Sequence, residues 1–158
     1  IAAYNYGARK PARIMKTYKL AICYAIAIMC VGLVIFQSIP ELLLSLFAEA
    51  DGSAEELIAV GVPALRTISF HFPVAAYCII CGAMFQALGH GVLSLVNSII
   101  RQLVVLLPAA WLLSRTGRLE LVWLAFPIAE VVSLTLSIIF LRRTLRTAEA
   151  RMQAVQSR

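Results

Sequence analysis

LRTISFHFPVAAYCIICGAMFQALGHG, residues 65–91, is apolar enough to cross a bilayer yet carries Arg66, His71 and Gln86. A passive anchor has no use for polar side chains at such depth, since each is costly unless protein or water satisfies it. Pro73 and Gly82 fall in the same run, and a membrane helix tolerates them when neighbouring helices re-satisfy the freed backbone groups. The stretch therefore reads as one helix of a bundle. The expected fold is an all-α membrane protein with four transmembrane helices.

Composition agrees. Of 158 residues, 61% are hydrophobic and 14% charged, with a mean hydropathy of +0.88, which leaves too little polar surface to cover a soluble core. The net charge of +6 could suggest nucleic acid, but the basic residues flank the ends of apolar runs, where bilayer orientation accounts for them. No nucleic-acid partner is expected. Cys23, Cys30, Cys78 and Cys81 all fall inside apolar runs rather than in loops, against a secreted disulfide framework. The chain opens on Ile1 with no signal peptide in view, and it reads as a piece of a longer protein.

Working outward from residues 65–91, the helix that contains them is expected over about 62–88, after a start at Ala54 capped by Ser53 with Glu56, and a redirection near Gly61 and Pro63. Gly89-His90-Gly91 is a tight turn into an antiparallel neighbour, about 92–113, which holds Asn97 and Arg101 and should kink at Pro108. A fourth span follows over about 121–141 with Pro127 and Glu130. Upstream, about 20–39 supplies a first span of the twenty residues or so that a ~30 Å core requires. Pro40 and Glu41 stop it, and LLLSLF lies along the interface.

Residues 1–19 form a basic segment with Arg9, Lys10, Arg13, Lys16 and Lys19, and residues 142–158 form a basic tail. The first outer loop, from Glu41 to Glu56, holds five acids and no base. By the positive-inside rule both termini are expected in the cytoplasm and the acidic loop outside.

Several modest motifs recur in a telling order: YNYGAR before one span, LR followed by the FQALGHG turn, an asparagine and RQ within the next, and P-x-A-E in the last. In this the chain resembles the carboxy-terminal part of a multidrug and toxin extrusion (MATE) transporter. The resemblance covers essentially the whole chain and implies the last four of twelve helices, part of the second six-helix lobe. It further implies a cation-coupled antiporter of the cytoplasmic membrane that exports small-molecule drugs or xenobiotics, with proton or sodium as the coupling ion. The partners it implies are the lipid bilayer and a missing amino-terminal lobe. Sodium-type members carry an acid in the helix matching residues 65–88. Here no Asp or Glu occurs between Leu57 and Glu120, a departure that weakens the case for a second-lobe sodium site.

At about 1.5 Å per residue, Arg101 and Glu130 each lie some ten residues into their helices, roughly 15 Å deep and near the midplane. Opposite charges at one depth invite pairing. One reading is an ion pair that fixes how the third and fourth helices pack. The other makes Glu130 a protonatable group on the transport pathway, with Arg101 favouring its charged form. His71 is expected on a helical stripe with Thr67, Cys78 and Gly82, either as a helix contact or as a proton handler. Gln86 and Asn97 flank the tight turn and could bond each other or face a cavity. Arg66 can snorkel to the outer surface.

Cys78 and Cys81 form a C-x-x-C without the setting of a zinc or redox site. With no phosphate loop, nucleophile–base pair or metal-ligand spacing, neither an enzyme nor a cofactor is expected. Two alternatives to the antiporter remain: a lipid-linked saccharide flippase, which shares the fold, and a non-transporting four-helix scaffold subunit.

Overall fold

The computed structural model of the chain describes residues 1–47 and 54–156, and every regular element among them is a helix. Short α1 (Ala2–Gly7) leads into α2 (Pro11–Ser38). Helix α3 (Pro40–Ser45) packs against α4 (Ala54–Ser69), which is followed by α5 (Phe72–Ala87). Next comes one rod over Gly91–Ser114, made of α6 (Gly91–Ile99), a π-helical segment (Ile100–Leu106) and α7 (Leu107–Ser114). A single turn, α8 (Leu119–Val122), precedes α9 (Ala125–Gln156). Among the described residues three helices are long and apolar enough to cross a membrane, and α4 with α5 makes a fourth if the bent pair is one span.

Prolines set several of these boundaries. Pro11 and Pro40 stand at helix starts, where the absent N–H would have no intrahelical partner. Helix α2 therefore begins at Pro11, nine residues before the apolar run, because backbone hydrogen bonding continues through Lys16 and Lys19 where only polarity changes. At the other end of the chain, α9 likewise passes beyond Leu141 without a break.

The second span departs most from expectation. Helix α4 continues through Gly61 and Pro63, and the direction changes instead at Phe70 and His71, where α4 and α5 meet at 57°. Pro73, in the first turn of α5, lacks the N–H that a continuous helix would use there. Gly61 serves packing: a Cβ at that position would lie 2.7 Å from Leu44 Cδ1. With the axis broken, Thr67 does not share a helical stripe with Cys78 and Gly82, and His71 becomes the residue that caps α5. The expected cap Ser53 lies outside the described residues.

Gly89 closes α5. Its φ of +80° is open to glycine at no steric cost. It lets His90 N–H reach Phe85 O at 2.7 Å and Gly89 N–H reach Gln86 O at 3.1 Å, a Schellman motif that satisfies the last carbonyls.

Helix α5 is the axis of packing. It contacts α2, α6 and α9 and buries Ala75, Ala76, Cys78, Cys81, Met84 and Phe85. One apolar core joins Ile14 and Tyr18 of α2 to Phe85, Leu88, Leu141 and Ala148, and a second unites Leu106 with Ala125 and Ala129. The outer face of α2 exposes Tyr24, Ile28, Val31 and Ile35 at helical spacing, as a lipid-facing stripe does.

Candidate functional site: a polar seam between three helices

Along α9, Glu130, Ser133 and Ser137 recur at i, i+3 and i+7, so they share one face. All three are buried. Opposite them run Asn97 of α6 and Arg101 of the π segment, four residues apart. The two helices are antiparallel, so the partners match in reverse order. Arg101 Nη1 donates to Glu130 Oε2 at 3.2 Å. Asn97 Nδ2 lies 3.1 Å from Ser133 Oγ and 3.1 Å from Ser137 Oγ. The pairing expected from matched depth is thus present, and the seam holds α6 and the π segment against α9 by polar contacts as well as packing.

The π segment ends two residues before Pro108, whose ring would clash with the Val104 carbonyl in a regular α-helix. Wider turns upstream of that position are one way a continuous helix accommodates the clash, and such segments concentrate where function needs altered geometry. Arg101 sits on it.

Two cavities open on either side of Arg101. The first, about 260 Å³, is lined by Gln86, Ser94, Asn97, Ser98, Arg101 and Ser133, with Cys78 and Gly82 on its α5 wall. The second, about 170 Å³, is lined by His71, Arg101, Gln102, Phe126 and Glu130, with Leu106 and Ala129 as its apolar part. The five residues singled out from the sequence therefore fall on two adjoining cavities. Gln86 and Asn97 do not bond each other: Gln86 Nε2 donates to Ser94 Oγ at 3.2 Å across the Gly89 turn.

Three buried side-chain atoms in the described residues have no hydrogen-bond partner: His71 Nδ1, Asn97 Oδ1 and Glu130 Oε1. Most buried polar atoms are paired, and one left without any partner costs about 1–3 kcal/mol. Asn97 and Glu130 belong to the seam, and His71 lines the second cavity beside it. The Glu130 side chain is only 4% exposed, while that of Arg101 is 36% exposed, so the carboxylate is held inside and the guanidinium reaches toward the cavity mouths.

His71 is fixed at the helix break from two sides. Its ring stacks on Phe126 of α9 at 6.4 Å and 17°, and meets Phe72 edge-on at 5.6 Å. The break itself is latched by Gln37 of α2, whose Nε2 donates to Arg66 O and to Ser69 Oγ, both at 2.9 Å. Neither Gln37 nor Ser69 stands out in the sequence, because their partners lie about thirty residues away. Ser133 and Ser137 lie on the Glu130 face by their spacing, but nothing in the sequence singled them out, and only the fold shows that they hold Asn97. Among the described residues no group of three or more His, Cys, Asp or Glu could hold a metal ion.

Long apolar helices around a buried polar seam define a multi-pass helical membrane protein. The comparisons give the family. The MatE family model matches residues 1–112, and the chain belongs to the MatE family. It is similar to a solved structure described as the inward-facing conformation of a multidrug resistance MATE family transporter of the MOP superfamily. The TM-score is 0.86 at 24% identity, over 95% of this chain and 34% of that one. The fold is shared, and the chain spans about a third of that transporter's length. No curated protein matches the sequence.

Proposed function

We propose that this chain is part of the second lobe of a cation-coupled secondary antiporter, which exports small organic compounds across the cytoplasmic membrane with both termini in the cytoplasm. The activity is transport, not enzyme chemistry, and the working unit includes an amino-terminal lobe beyond this chain. One observation carries the reading: a carboxylate buried among long apolar helices, Glu130, is paired through one oxygen to Arg101 while its other oxygen is unpartnered beside a cavity. Ionisable groups are expensive at such depth and mark ion or substrate pathways. A purely structural clamp would use both oxygens.

Two six-helix bundles rocking about a central site give alternating access in carriers built from repeats. In such a cycle the seam between α5, the π segment and α9 is where a cation can trade places with Arg101 at Glu130. The test is Glu130→Gln in the full-length transporter, which preserves shape and some hydrogen bonding but cannot exchange a proton. Loss of substrate efflux at normal expression supports the coupling role. Normal efflux at every pH reduces Glu130 to a packing residue.

A further inference from the structure

We propose that the outward face of α2 is a binding site for an anionic phospholipid, its headgroup phosphate held between Arg13 and Lys16 and an acyl chain lying along Leu20, Tyr24, Ile28 and Val31. The inference does not depend on the coupling role of Glu130, and it assigns a lipid ligand to a surface that the transport reading leaves unused.

The exposed side chains of α2 carry the argument. Arg13, Lys16, Leu20, Tyr24, Ile28 and Val31 are all exposed and follow one another at intervals of three or four, so they form a single stripe. Ile14 and Tyr18 turn the other way, into the core with Phe85 and Leu88. The stripe changes chemistry once along its length, from two cations to a run of larger, mostly apolar side chains. From Leu20 to Val31 that run extends roughly 16 Å at about 1.5 Å per residue, close to the ~15 Å that one leaflet contributes to a ~30 Å core. A phospholipid has the same order, a charged ester at the surface and a hydrocarbon chain beneath it. A soluble anion has no use for the lower part of the stripe.

Charge selects the class of lipid. Residues 1–40 contain no Asp or Glu, and the ion pair found among the described residues is Arg101–Glu130, so no described carboxylate neutralises Arg13 or Lys16. Three residues apart on one helix, the two cations are neighbours. A phosphate between them supplies the counter-charge, with the arginine fork giving two parallel N–H···O bonds and the lysine a point charge. Orientation in the bilayer needs only bases near the end of a span, on any face. Here they stand in line with the apolar stripe. Helix α9 repeats the arrangement: Val131, Thr135 and Ile139 lead along an exposed face to Arg142 and Arg146, while Leu141 and Ala148 join the core that holds Ile14 and Tyr18.

A third cation is kept just upstream at a local cost. Lys10 N–H reaches Asn5 O at 2.9 Å and Arg9 N–H reaches Tyr6 O at 3.1 Å, the motif that Gly89 closes at the end of α5. The residue in the glycine position, at φ +54°, is Arg9, although glycine would be unstrained there.

The experiment uses the full-length transporter in nanodiscs, with Tyr24→Trp as reporter and the other tryptophans replaced by phenylalanine. Phosphatidylglycerol and phosphatidylcholine, each brominated on the acyl chain, are titrated as quenchers into discs of unlabelled phosphatidylcholine. The anionic lipid should be preferred about tenfold, at severalfold for each basic residue beside an anionic headgroup. Arg13→Gln together with Lys16→Gln should bring the ratio close to one and leave quenching by phosphatidylcholine unchanged, which also shows that the variant is folded. Equal quenching by the two lipids in the reporter protein overturns the site. A preference that survives the double variant overturns the assignment of the headgroup to Arg13 and Lys16. Absence of quenching by either lipid means that protein covers the stripe, and overturns the proposal as well. Competition by glycerophosphoglycerol, the headgroup without its chains, as effective as by the lipid makes the ligand a soluble anion and overturns the lipid. Transport is not read in this assay, so no outcome bears on Glu130.

Discussion

Arg101→Ala should destabilise the transporter more than Arg101→Ala and Glu130→Gln made together. In the wild type, Nη1 and Oε2 are 3.2 Å apart; with an effective dielectric of about 20 this is about 5 kcal/mol of gross attraction. Desolvation of both groups offsets most of that. Arg101 is 36% exposed, so the remaining value must be discounted for screening, to about 1–2 kcal/mol. Removing the arginine does more than forfeit this. Glu130, 4% exposed and with Oε1 already unpartnered, would lose its last charged partner, and an uncompensated buried charge adds roughly another 1–2 kcal/mol. The single variant should thus cost about 2–4 kcal/mol and the double variant, in which the buried group is neutral, about half as much. The assay is reversible unfolding of the full-length protein in mild detergent, run as a complete double-mutant cycle. Costs that add to within about 0.5 kcal/mol would refute the coupling and reduce the contact to a surface ion pair.

Three further outcomes follow from other parts of the fold. Gly89→Val should lower stability by about 1–2 kcal/mol, because φ is +80° at that residue and a side chain is strained there; thermal unfolding of Gly89→Val against Gly91→Val, whose added Cβ would meet nothing within 4 Å, checks it. Asn97→Leu deletes both contacts to Ser133 and Ser137, and at about 0.6 kcal/mol for a typical interhelical bond in lipid the loss should be about 1 kcal/mol in the same assay. Gln37→Leu frees the Arg66 carbonyl and Ser69 hydroxyl at the bend, so amide exchange should accelerate between Ser69 and Phe72 while that of α9 stays unchanged.

Much of this molecule was legible without coordinates. Hydropathy runs longer than a bilayer core identify spanning helices because lipid leaves a backbone no partner but itself. Matched depth brought Arg101 and Glu130 together because a helix rises by a fixed amount per residue, so position in sequence converts directly to position in the membrane. The FQALGHG turn was equally readable, since a glycine after an apolar run announces a helix end by backbone sterics alone.

What the sequence by itself determined is therefore what depends on neighbours along the chain: which segments are long and apolar enough to cross, that a turn falls at Gly89, and which polar groups stand at matched positions on antiparallel helices. The tertiary structure decided what depends on angle and on distant partners. Helix α4 passes Pro63 unbroken and the axis turns at His71 instead, where a glutamine about thirty residues upstream in the sequence can satisfy the exposed backbone. That break moved His71 off its expected stripe and onto the cavity of Glu130. Rotation about a helix axis, unlike depth along it, is fixed only by packing, and so only the folded bundle could show that His71, Asn97 and Glu130 each turn an unpaired atom inward.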